Sequence, residues 1–145
     1  KIFSIILRTN FFGNSKQDSR KSFSDWIIQN FQNETVSKYF SNVYFNPLSM
    51  QTLANMIIKI LRKPKKGIFN LGSNGSISKY QFALEINKKY FKNENLIVKS
   101  TLENSNLFAP RPKNMVMDVS KFEKSYNVIL PDILNEIESA NLLGE

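Results

Sequence analysis

Apolar residues along this chain recur in two rhythms, short continuous or alternating runs and stripes at helical spacing, and the two alternate. Residues 2–7 form an almost unbroken apolar run, which predicts a buried strand of the kind found in parallel sheets. A polar loop hinged at Gly13 follows. Ser22 with Asp25 three residues on predicts a helix start, and Phe23, Trp26, Ile27 and Phe31 share its apolar face. Residues 35–45 are rich in Val, Tyr and Phe and predict β-structure, closed by Pro47. Ser49 then caps the clearest helix, with Met50, Leu53, Ala54, Ile57, Ile60 and Leu61 expected inward and Pro64 as its stop.

The second half repeats the alternation. A strand leaves Gly67 and enters a turn containing Gly72 and Gly75. Ser78 with Gln81 predicts a capping box, and Phe82, Ala83, Ile86 and Tyr90 line the helix behind it. Residues 96–100 and 115–117 read as strands. Ser120 with Glu123 predicts another capping box, and a last helix is expected to turn Ile133, Leu134, Ile137 and Ala140 inward. The order is β-α-β-α-β-α-β-β-α-α, an α/β fold with a small mixed sheet and helices, read as one domain over residues 1–145.

Composition removes chemistry from this picture. With no cysteine and no histidine, disulfides, thiolate nucleophiles, His-based triads and the common zinc sites are all excluded, and a reducing, cytoplasmic setting is expected. No apolar run approaches the length of a membrane helix, so no membrane partner is expected. The net charge is +8, but the basic residues are scattered and 62–66 is the one dense cluster, so the charge predicts no nucleic-acid interface. A small anionic ligand would still gain from the positive field.

No G-x-G-x-x-G or P-loop is present, and the Gly72–Gly75 turn reads as a plain tight turn rather than a phosphate cradle. Tyr80 and Tyr90 read as helix-face aromatics, no acid–base pair of carboxylates is spaced for catalysis, and no metal-ligand cluster exists. Two segments carry chemistry. "LRTNFFG" puts polar residues at the C-terminal end of the first strand, where open α/β sheets bind ligands. "APRPKN" holds Arg111 between Pro110 and Pro112, both of which stiffen the backbone, and a guanidinium is a natural bidentate partner for phosphate.

Four blocks in order, "RTNFFG", "FNPLSMQTLANMI", "GIFNLGSNGSISKYQFALEI" and "APRPKNMVMDVSKFE", resemble the C-terminal half of extended short-chain dehydrogenase/reductases, most nearly the dTDP-4-dehydrorhamnose reductase branch. The resemblance spans about the whole chain. It implies the C-terminal part of an NAD(P)-binding Rossmann-like fold, acting as the substrate-binding half of an enzyme that reduces the 4-keto sugar of a nucleoside diphosphate sugar. It also implies roles: Asn10, Phe11, Arg111 and Asn114 at the substrate, with Arg111 on the diphosphate, and Thr9 and Asn10 at the cofactor, NADPH or NADH in the parent protein. Where that branch usually has Ser-Trp, this chain has Asn10-Phe11, as sugar-nucleotide epimerases do; an epimerase or dehydratase fragment, or a regulatory module of the same fold, is the alternative.

The family's glycine motif and its Tyr-x-x-x-Lys pair have no match here, since none of the five tyrosines is followed by lysine four residues on. The chain by itself is therefore expected to have no catalytic residue, to bind cofactor weakly at most, and to need an N-terminal Rossmann half or partner chain. Because the first strand follows directly on Lys1, it is expected to expose a sheet edge, with a strand-paired homodimer as one way to cover it.

Overall fold

The computed structural model describes residues 4–15, 20–105 and 109–143. Its strands sit in four small sheets among these residues rather than in one. Strand β1 (Ile5–Thr9) pairs in parallel with β6 (Gly67–Leu71), and β2 (Phe11–Phe12) pairs in parallel with β5 (Leu48–Ser49). Strand β3 (Ser37–Phe40) lies parallel to β8 (Ile97–Ser100). Strand β4 (Tyr44–Phe45) is central in the fourth sheet, antiparallel to β7 (Ile77–Ser78) and parallel to β9 (Asn114–Met115). The helices are α1 (Phe23–Gln32), α2 (Met50–Arg62), α3 (Lys79–Tyr90), α4 (Ser120–Tyr126) and α5 (Ile133–Ser139).

Local chemistry sets the helix starts. Ser22 and Asp25 form a complete capping box on α1, and Ser78 and Gln81 form one on α3. Ser49 caps α2 as its pattern predicts. A buried carboxylate reinforces that end: Glu136 of α5 accepts from the Ser49 backbone N–H at 2.5 Å and from the Thr52 hydroxyl at 2.7 Å. This ties α5 to the N-terminus of α2, where a negative charge is favoured by the helix dipole.

Four expectations change. The first strand begins at Ile5 and alternates, with Ile5 and Leu7 half-buried and Ile6 exposed, because one face packs on the core and the other is left open among the described residues; residues 1–3 lie outside them. On α2 only Ile60 is buried, helped by Leu53 and Met56, whereas Met50, Ala54, Ile57 and Leu61 face outward. The apolar stripe on this helix is wider than its contact. Ser120 forms no capping box: the residue before it, Val119, is already near-helical (φ −100°, ψ −2°), and Glu123 instead accepts from Asn74 and from the Leu130 N–H. On α5, Leu134 is exposed.

Two clusters divide the interior. One gathers Phe12, Ile27, Phe31, Tyr39, Phe45, Phe82, Ile86 and Ile137 between α1, α3, α5 and the β3–β8 and β4–β7 strands. The other gathers Leu48, Ile60, Phe69, Leu71, Phe122 and Tyr126 between β6, α2 and α4.

Candidate functional site

A cavity of about 700 Å³ opens on the first cluster. The capping box on α1 presents Phe23 and Trp26 to it, β3 brings Lys38 and Tyr39, and α3 brings Lys79 as its first residue. The segment ahead of β9 adds Arg111 and Pro112. The wall is aromatic. Phe23 stacks on Trp26 with centroids 6.1 Å apart, and Trp26 meets Tyr39 edge-on at 5.3 Å. Among the described residues that line it, three are cations and none is a carboxylate. Such a surface suits a planar ring joined to an anionic group, the ring against the aromatics and the anion against the cations.

Arg111 and Lys79 differ in setting. Arg111 is exposed, on backbone stiffened by its flanking prolines, and makes no ion pair or hydrogen bond to any described residue. Its loop is held from outside by an ion pair between Lys113 and Glu103. That contact, with a hydrogen bond from Asn42, holds the Glu103 carboxyl down at about 2. Lys79 is half-buried, with its ammonium 3.5 Å from the Phe45 ring centroid and 4.1 Å from that of Phe23. Burial pushes its amine down to about 8.

The residues named from sequence fall in different places. Arg111 lines the cavity. Asn114 is exposed on β9 next to the lining residue Met115, and its Oδ1 accepts from the Val116 N–H at 2.9 Å. Asn10 reaches the same strand, its Nδ2 donating to the Met115 carbonyl at 3.4 Å. Phe11 is 52% exposed, pairs with Leu48 of β5, and is not among the residues that line the cavity. Thr9 ends β1, its hydroxyl donating to the Asn10 carbonyl at 3.4 Å. The Asn10 Oδ1 is buried without a partner, an open acceptor at the C-terminal end of a parallel pair, which fits a donor on a bound cofactor.

The Gly72 turn is structural. Its amides are already engaged, Ser73 N–H with the Asn46 carbonyl and Asn74 N–H with that of Pro131, and a Cβ at Gly72 would stand 2.6 Å from the Asn46 oxygen. A second cavity, about 800 Å³ between the β2 end, the α2 start and the α5 end, has no charged residue among the described residues that line it.

Sequence reasoning missed Trp26, Tyr39 and Lys79 as site residues. The two aromatics are indistinguishable from core by spacing alone. Lys79 did leave a signal: it is a cation in the first turn of a helix that has no acidic residue there, against the helix dipole.

The family model described as the RmlD substrate binding domain matches residues 3–141. Among solved structures, the dTDP-4-dehydrorhamnose reductase of Bacillus anthracis in complex with NADP superposes with a TM-score of 0.79 at 20% identity, over 92% of this chain and 46% of its own. A dTDP-4-dehydrorhamnose reductase from Clostridium acetobutylicum gives 0.78 at 21% identity, over 94% and 47%. The Bordetella bronchiseptica enzyme WbmG, in complex with NAD and UDP, gives 0.70 at 15%, over 94% and 41%. This chain thus spans less than half the length of these structures, and at such identities they establish its α/β fold alone. No curated protein is similar enough to count as a match.

Proposed function

We propose, for a chain that belongs to the RmlD substrate binding domain family, that it is the substrate-binding half of an NAD(P)-dependent sugar-nucleotide reductase of the dTDP-4-dehydrorhamnose reductase type. The observation that carries this reading is the cavity that pairs an aromatic wall with Arg111 and no carboxylate. A nucleobase stacks against Trp26 and its neighbours, and the guanidinium of Arg111 takes the diphosphate in charge-assisted hydrogen bonds. Domain 1–145 acts as one binding unit.

The NAD(P) of the solved relatives supplies hydride chemistry in the proposed parent protein. In this chain Thr9 and Asn10 would hold one edge of it, with the open Asn10 Oδ1 as acceptor. The chain's own work is binding and orientation. It has no Tyr-x-x-x-Lys pair to hold or move the proton.

Calorimetric titration with dTDP and with UDP tests this. The chain should bind at least one of them, and Arg111→Ala should weaken that binding by about 1.5–3 kcal/mol, the value of hydrogen bonds to charged groups. Absence of binding to both nucleotides, or equal binding by Arg111→Ala, overturns it.

A further inference from the structure

We propose that Lys79 is a second anion-binding residue of this cavity, held against the Phe23 and Phe45 rings to share the diphosphate with Arg111. The inference rests on reading the cavity as a nucleoside diphosphate site.

Lys79 is expensive where it stands. It occupies the first turn of α3, at the positive end of the helix dipole, where a carboxylate is the favoured residue. Its ammonium is drawn off water between the Phe23 and Phe45 rings. Those ring faces offer some attraction but no hydrogen-bond acceptor. It meets no carboxylate, carbonyl or hydroxyl partner among the described residues. The other charged groups lining the cavity, Lys38 and Arg111, repel it.

A purely structural side chain at this position would be served better by Met or Leu, which fill the same aromatic slot without a charge. A partly desolvated cation, held by rings and repelled by its charged neighbours, is stabilised when an anion enters. A ligand that engages both Lys79 and Arg111 offers more than one negative group, because these two cations reach the cavity from separate elements, α3 and the proline-flanked loop. A nucleoside diphosphate meets both requirements. The rings hold the ammonium in place before the ligand arrives, so little rotamer entropy remains to be lost on binding.

The test uses the full chain with UDP and inorganic pyrophosphate as probes, in calorimetry. Lys79→Met should weaken both ligands by about ten- to a hundredfold. Lys79→Gln should lose as much, while both variants melt no earlier than the parent chain. If either variant binds UDP as tightly as the parent while Arg111→Ala does not, the assignment of Lys79 fails and the cavity reading stands. If the parent chain binds neither probe, both fail together.

Discussion

The two hydrophobic clusters obey the same rules of amphipathic packing and end differently. Around the first, α1, α3 and α5 turn their apolar faces onto one another, and Phe82, Ala83, Ile86 and Ile27 are completely enclosed. Around the second, β1, β6 and α2 cover one side only. Ile6 and Ile68, neighbours in register across β1 and β6, are 49% and 43% exposed, and Leu61 on α2 is 71% exposed. Each strand of that two-stranded sheet has a free edge among the described residues. The aromatic cavity belongs to the closed region, and the uncovered apolar surface to the open one. Periodicity therefore reports that a face is apolar; it does not report what covers it. In the closed region the cover comes from residues far along the chain, such as Ala140 and Leu142, which reach the Tyr90 hydroxyl.

Substitutions can break or sharpen this contrast. The largest effect is expected at Phe82, which meets Phe12 edge-on at 5.1 Å and Phe45 at 5.2 Å. Phe82→Ala should cost about 3–5 kcal/mol in urea unfolding, the price of a large cavity in a core with no room to collapse. A smaller and opposite effect is expected at Lys79. Its folded pKa of about 8 lies below the ordinary 10.5, so between those values the unfolded chain binds more protons. Stability should rise with pH through that window, and be least favoured by Lys79 below about pH 8, where the desolvated amine must stay charged. Lys79→Met should be more stable than the parent at pH 7 and lack this rise, as read by melting temperature across pH 7–10.5. The smallest effect is expected in the open region, where Leu61→Ala should change stability by no more than about 0.5 kcal/mol. A loss at Leu61 comparable with that at Phe82 would mean that the outer face of α2 is covered in solution.

Much of the fold was legible because its signals are local. Ser22 with Asp25, Ser49, and Ser78 with Gln81 each bond within one turn of their own helix, so spacing suffices to find them. The capping box at Ser120 was misread because Glu123 is claimed by Asn74, 49 residues away, and such competition leaves no trace in the local pattern. The inward face of α2 was misread for a similar reason, as Leu53, Met56 and Ile60 are selected by the Phe122 and Leu71 cluster and not by the helix itself. At the cavity, Arg111 stands out in the sequence because two prolines flank it. Trp26 and Tyr39 were not, because their contribution depends on α1 and β3 meeting across the cavity mouth.

The most direct test of the central claim uses the chain's single tryptophan. Trp26 is 40% exposed and lines the cavity, so its fluorescence reports on this site alone. Titration with dTDP or UDP should change Trp26 emission saturably, and Arg111→Ala should shift the midpoint about tenfold or more to higher nucleotide. Emission that stays constant as each nucleotide is raised to millimolar levels, or a midpoint indifferent to Arg111, would contradict the account.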